Sequence, residues 1–421
     1  MNIRIRLSVM NFLLFAVWGA YLTSMGSYLH RVGLGEHIGW FYSAQGFVSL
    51  FMPALMGMIA DRYIAAQKLL SICQFLSAIF MCATGWIGMT QGQDIRFEQI
   101  FPFYVLGTAF FMPSLALGCS VSYHALGIAK LEPVKVFPSI RIFGTLGFIC
   151  SMWMVDLLGC QHDSRQFFVS AVWGIMTAIF ALTLPACPIS GNNSKKTVVN
   201  ALGIDNFSLF RDKQMRAFFI FSILIGINLQ ITNGYANTYI STAFDGIAAY
   251  ADSFVMNHTN ILISLSQISE MSCILLIPFF LRRYGIKWVI IIAMIAWVFR
   301  FSLFALGNPG SGLWMFILSM IVYGVAFDFF NISGTLFIEK NTDECVRSSA
   351  QGIFVMMTNG FGATIGMLGA QWVVNRLVYS SNEAFTQLEG WTNAWYIFAS
   401  YALTITILFA LLFKYNHKKE S

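Results

Sequence analysis

Three ionisable side chains lie well inside apolar stretches of this 421-residue chain: Arg141, Glu270 and Asp328. Asp328 sits in the run YGVAFDFFNISG, residues 323–334, near the middle of an apolar segment from Leu313 to Ile338. That segment is long enough to cross a bilayer. A carboxylate at such depth costs roughly 2.5–3.5 kcal/mol on insertion scales, so it is kept where it faces a hydrated cavity or an internal partner. Helical spacing groups further residues with these three. Arg141, Thr145 and Phe148 fall at i, i+4 and i+7 on one face; Gln230 and Asn233, and again Gln267 and Glu270, are i, i+3 pairs. Tyr323, Phe327 and Asn331 share another face, with Asp328 one step round.

The set describes a cavity with hydrogen-bonding side chains, aromatic faces, two carboxylates and one guanidinium. Amides, Thr and carboxylates bind the hydroxyls of a polyol. Phe and Tyr stack on planar rings, worth about 1–3 kcal/mol per base in single-stranded nucleic-acid systems. A nucleoside has both parts. A plain sugar fits as well, because aromatics pack on pyranose faces, and residue chemistry alone leaves the two open. Asp328 and Glu270 are the groups able to carry a transported proton, and movement of Arg141 relative to either acid changes that acid's proton affinity. Plainer roles compete. Arg141 can be an ion-pair partner of either acid, and Gln230, Asn233 and Gln267 can be inter-helix hydrogen-bond glue. Phe148 and Phe327 can be core packing in a chain with 41 Phe residues. Arg300, in the outer part of its span, reads as structural or interfacial, and Asp156 as reaching the membrane interface.

The elements that must position these residues are membrane helices. The chain is 57% hydrophobic and 10% charged, against about 25% charged for a soluble protein. Apolar stretches near or above about 20 residues recur throughout, which predicts an all-α membrane protein. Twelve spans are expected, at about 7–29, 38–60, 68–90, 99–124, 136–157, 167–187, 215–237, 258–281, 286–307, 313–338, 348–375 and 391–413. The longest polar gap, 188–214, contains GNNSKK and FRDKQMR and divides the chain into six-helix halves at 1–187 and 215–421. With both termini cytoplasmic, nineteen Lys and Arg fall on the cytoplasmic side and four outside. The +6 net charge is then membrane topology rather than a nucleic-acid footprint. The first span, behind Arg4 and Arg6, reads as retained, because no small-residue cleavage pattern follows it.

Several classes are disfavoured. The pattern G-x-x-x-x-G-K-[ST] is absent, which argues against ATP drive, and H-E-x-x-H is absent, which argues against a membrane metalloprotease. The six His residues fall in loops, at helix ends or in the tail, so no buried haem, metal centre or rhomboid-type site is expected. An intramembrane aspartyl protease needs two facing aspartates, and only Asp328 is well placed. Of eight Cys, only Cys160 is expected outside, so an external disulfide is not. A receptor that binds without transporting is left to a flux assay.

Six plus six spans around a basic central loop is the layout of the major facilitator fold, whose halves pair around a midplane site. The loop Gly57, Asp61, Arg62 resembles that superfamily's G-x-x-x-D-R-x-G-R-K gating motif, with Ile64, Ala65 and Ala66 replacing its Gly-Arg-Lys. Arg282, Arg283, Gly285 and Lys287 occupy the corresponding loop of the second half. Ordinary positive-inside charge also accounts for such loops. The repeated SAQG at 43–46 and 349–352 opens non-equivalent spans and is coincidence. At finer grain the chain resembles the nucleoside:proton symporter family, through WGAYLTSMGSY (18–28), FMPALMGMIAD (51–61), IRIFGTLGF (140–148), LQITN (229–233), SQISE (266–270), IPFFLRRYGIK (277–287), YGVAFDFFNISG (323–334) and SAQGIFVMMTNGFG (349–362).

The resemblance implies a proton-driven nucleoside importer of the bacterial inner membrane, working by alternating access as a monomer. It implies no cofactor, metal, enzymatic activity or nucleic-acid partner. Its binding set is Arg141, Thr145, Phe148, Gln230, Asn233, Gln267, Glu270, Tyr323 and Phe327, with Asp328 and Glu270 coupling protons. Divergence in 236–257, read as a loop over the outer entrance, and in the tail after Tyr415 bears on substrate range. A proton-coupled sugar transporter of the same superfamily is the alternative.

Overall fold

The computed structural model describes residues 2–189, 209–250, 253–380 and 383–415. GNNSKK, with most of the central segment, and the tail after Tyr415 lie outside the described residues. The chain forms two compact units, Met1–Ile204 and Asp205–Ser421. Both are helical, with no strand among the described residues.

The first unit contains α1 (Ile3–Gly19), α2 (Met25–Arg31), α3 (Ile38–Arg62), α4 (Ala66–Gln91), α5 (Phe97–Ile128), α6 (Pro133–Leu157) and α7 (Arg165–Ala181). The expected first span is therefore not one helix. It breaks at residues 20–24, where the freed Leu22 carbonyl accepts from the buried Tyr42 hydroxyl and Ser24 Oγ donates to Gln166 at 2.9 Å. Inside a membrane such a break survives only when side chains re-satisfy the backbone. The helices α1 and α6 pack at backbone contact. A Cβ at Gly19 would collide with the Phe148 backbone, and one at Gly147 with the Phe12 backbone. Glycine at these two crossings sets the separation that places the Phe148 side chain against α1.

The second unit contains α8 (Lys213–Thr242), α9 (Phe254–Asn257), α10 (Thr259–Cys273), α11 (Ile277–Leu306), α12 (Leu313–Asn341), α13 (Glu344–Val355), α14 (Ala363–Leu377) and α15 (Ala384–Leu412). A π-helical stretch, Met356–Gly362, joins α13 to α14, so the expected eleventh span is one continuous but irregular rod. The helix α8 runs to Thr242, so residues 236–242 are buried helix rather than entrance loop. Around Tyr239 they pack into aromatic rings: the Tyr239 hydroxyl donates to the Phe304 carbonyl at 3.0 Å, and Phe304 stacks on Trp395 at 4.6 Å. The helix expected to end at 281 stops at Cys273, and Arg282 and Arg283 lie inside α11, just before its turn at Gly285 with φ 76.

Among the described residues nine helices are long and apolar enough to cross a membrane, with Arg165–Ala181 a shorter apolar one. The expected spans at 7–29, 167–187 and 258–281 are occupied by helices that are short or interrupted.

Candidate substrate and proton site

Each unit carries its own share of the residues singled out by sequence. In the first unit, Arg141 lies exposed on α6 with its guanidinium 4.2 Å over the Phe15 ring. Thr145, one turn on, is half-buried. Phe148, 7% exposed, meets Trp18 edge to face at 6.2 Å. Trp18 Nε1 donates to Gln45 Oε1 at 3.2 Å, and Gln45 Nε2 donates to the Tyr104 hydroxyl at 2.6 Å. A half-buried indole and a buried amide thus hold each other, which fixes the surface under Phe148. Sequence reasoning passed over Phe15, Trp18 and Gln45. The signal for Gln45 was available, as an amide within an apolar span; Trp18 and Phe15 were indistinguishable from ordinary membrane aromatics.

In the second unit, α10 and α12 cross closely enough that a Cβ at Gly324 would stand 2.6 Å from the Ser269 backbone. That approach brings five sequence-selected residues together. The Tyr323 hydroxyl shares a side-chain hydrogen bond with Gln267, and Glu270 and Asp328 both lie within its electrostatic range. Tyr323 and Phe327 stack nearly parallel, 5.7 Å apart at 4°, and Trp297 meets Tyr323 edge-on at 5.9 Å. Asp328 is 5% exposed, and its Oδ2 has no hydrogen-bond partner among the described residues. Its electrostatic neighbours are Glu270 and Cys273 of α10. Burying a carboxylate oxygen without a hydrogen-bond partner is costly.

Phe327 and Asn331 also line a narrow cleft with Gly226, Trp297, Thr358 and Asn359. Asn331 Nδ2 donates to the Phe327 carbonyl at 3.0 Å, so one of its two N–H donors is used within its own helix. Gln230 and Asn233 are half-buried on α8, the helix that supplies Gly226 to the cleft. Thr358 and Asn359, on the π-helical stretch, were not singled out by residue chemistry. Their irregular backbone is the informative feature, since π turns concentrate at functional sites. Arg300 is 1% exposed and Asp156, next to the end of α6, is 3% exposed, so both side chains are enclosed by protein.

The gating-loop residues lie on α3 and α11. Gly57 lies within α3, and Asp61 and Arg62 at its end are half-buried. Arg282 and Arg283 are exposed, with the Arg283 guanidinium 5.6 Å from the Tyr284 ring. No group of three or more metal-ligating side chains occurs among the described residues.

Two helical units, each bearing buried polar and aromatic residues from several apolar helices, define a secondary transporter of the major facilitator type. The D-xylose-proton symporter shares this fold, with a TM-score of 0.69 at 12% identity, covering 99% of this chain and 98% of that one. The chain belongs to the nucleoside H+ symporter family, whose model matches residues 1–418. It is 42% identical to the nucleoside permease NupG of Escherichia coli (strain K12) over 99% of this chain and 97% of that protein. A crystal structure of nucleoside transporter NupG superposes with a TM-score of 0.88, at 41% identity, covering 99% of this chain and all of that one. The xanthosine permease of E. coli (strain K12) is 40% identical over the whole of this chain and 98% of its own. The chain is therefore a multi-pass membrane permease and not an enzyme.

Proposed function

We infer that this chain imports nucleosides together with protons, by alternating access, across a bacterial cytoplasmic membrane that it crosses twelve times with both termini inside. The reading rests on one observation above the others: a stacked Tyr323–Phe327 pair shares its two-helix crossing with a buried carboxylate lacking a partner for one oxygen. The half-buried Phe327 ring has a face that suits a nucleobase. Gln267 and Glu270, with Gln230, Asn233 and Thr145, supply hydrogen bonds to base edge and ribose hydroxyls, and Arg141 and Phe148 complete the binding set. Asp328 and Glu270 hold the proton. Family membership supports both substrate and proton. The transporter acts as a monomer without a cofactor, driven by the proton gradient, and Gly57, Asp61, Arg62, Arg282 and Arg283 gate the cytoplasmic side.

The test is radiolabelled uridine uptake in cells lacking their own nucleoside transporters, with and without a protonophore, for wild type and Asp328→Asn. Protonophore-sensitive uptake that the variant loses supports substrate and coupling together. Uptake indifferent to the protonophore removes symport. A well-expressed wild type that takes up neither uridine nor adenosine removes the nucleoside reading.

A further inference from the structure

Arg300 is the residue the transport scheme leaves unexplained. It lies on α11, 1% exposed, and no carboxylate lies within ion-pair distance of it among the described residues. Burying a guanidinium without a counter-ion is costly, and a hydrocarbon of similar volume would fill the space without that cost. What the guanidinium has that a hydrocarbon lacks is a charged plane that attracts aromatic faces and a fork that grips carbonyls. Arg300 uses both. Its Nη1 donates to the Ser319 carbonyl, and Ser319 Oγ returns a bond to the Arg300 carbonyl at 3.2 Å. Its Cζ stands 4.7 Å from the Tyr323 ring centroid and 5.2 Å from that of Phe304. Both Nη atoms also touch Met320 Sδ, at 4.0 and 3.9 Å. Nε has no hydrogen-bond partner among the described residues.

The contacts run in one direction. Ser319 and Met320 sit one turn before Tyr323 on α12, so the fork is anchored to the same helix whose tyrosine the plane covers. Trp297, one turn before Arg300 on α11, closes on that tyrosine edge-on. Tyr323 then has its ring held from α11 and its hydroxyl on Gln267 of α10, in range of Glu270 and Asp328. We propose that Arg300 is a positioning residue for substrate: it clamps the Tyr323 ring so that the hydroxyl stays on Gln267, in range of Glu270. This rests on the nucleoside reading above. Arg300 touches no substrate itself in this scheme; its effect passes through the tyrosine hydroxyl.

The experiment measures uridine binding to purified protein in detergent, for wild type, Arg300→Gln, Arg300→Lys, Tyr323→Phe and the double variant Arg300→Gln/Tyr323→Phe. Arg300→Gln is expected to weaken binding about thirtyfold, the change expected on losing a desolvated cation–π contact. Arg300→Lys recovers part of this, because it keeps the cation over the ring and loses the fork. In the Tyr323→Phe background, where no hydroxyl remains to be placed, Arg300→Gln costs less than about twofold more. Equal losses in both backgrounds mean that Arg300 acts by packing alone, and no loss in either means that it does not act on the site; each overturns the proposal. If Arg300→Gln does not fold, the same cycle is run with Arg300→Lys, and coupling to Tyr323→Phe decides in the same way. A wild type that binds no nucleoside overturns the functional reading, and this inference with it, whereas nucleoside binding indifferent to Arg300 overturns the inference alone.

Discussion

The crossing of α10 and α12 at Gly324 can be tested against a matched control. Gly324→Ala and Gly369→Ala make the same chemical change in the interior of two helices. Each gains about 0.8–1.0 kcal/mol of helix propensity. At Gly369 a new Cβ meets nothing within 4 Å, so that gain stands. At Gly324 the new Cβ would sit 2.6 Å from the Ser269 carbonyl carbon, carbonyl oxygen and Oγ. That is about 0.8 Å short of ordinary van der Waals contact. Two of the three atoms are backbone and cannot rotate away, so α10 must move. Overpacking of this kind costs about 1–3 kcal/mol. Gly324→Ala is therefore expected to be less stable than Gly369→Ala by about that amount in unfolding of the detergent-purified protein. The displacement carries Gln267 and Glu270 away from Tyr323, so Gly324→Ala should also bind uridine more weakly while Gly369→Ala binds as wild type. Equal stability and equal affinity in the two variants would refute the claim that a glycine-dependent helix crossing assembles the second unit's cluster.

Three further outcomes follow from the geometry. Phe327→Leu keeps an apolar volume and removes the ring, so uridine affinity should fall by about 1 kcal/mol or more, roughly fivefold; binding as tight as wild type would show that the Phe327 face is not used. Gln45→Leu leaves Trp18 Nε1 and the buried Tyr104 hydroxyl without their bridge, and should destabilise by about 1–3 kcal/mol; an unchanged unfolding midpoint would contradict this. Burial, with Arg31 nearby, holds His162 in the turn before α7 down to about 4 from 6.5, while its Nδ1 contacts Ser27 Oγ at 2.6 Å. The folded value lies below the unfolded one, so stability is intact above pH 6.5 and is lost as pH falls towards 4, by up to about 3 kcal/mol. His162→Asn should flatten that acid limb in part. His30, lowered likewise to about 4, supplies the remainder, and an acid limb identical to wild type would remove His162 from the account.

Some features were readable one residue at a time. Asp328, Glu270 and Arg141 stood out because charge is costly in an apolar stretch, and that cost holds whatever the neighbouring helices do. The faces Arg141–Thr145–Phe148 and Tyr323–Phe327 followed from helical period, which is local. The spans at 38–60 and 313–338 followed from length and apolarity, since a bilayer imposes both. Reading failed where a local pattern met a tertiary contact. The sequence around Ala20–Ser24 is as apolar as a helix interior, and the break there survives because Tyr42 and Gln166, distant in sequence, take up the freed backbone and Ser24 groups. Residues 236–242 looked like a divergent loop, but Phe304 and Trp395 give Tyr239 a buried place, which keeps the helix running.

Hydropathy, charge scarcity and helical period need only the chain's own order, and they were enough for a helical membrane protein with carboxylates deep in apolar segments beside aromatics. Which of those residues meet depends on how the helices pack. Gly324 lets α10 lie against α12 and brings Gln267 to Tyr323. The clamp on that tyrosine comes from Arg300, a residue read from its place in the span as structural or interfacial. A buried cation facing a ring and a polar group facing lipid read alike in one dimension; the packing of α11 on α12 separates them.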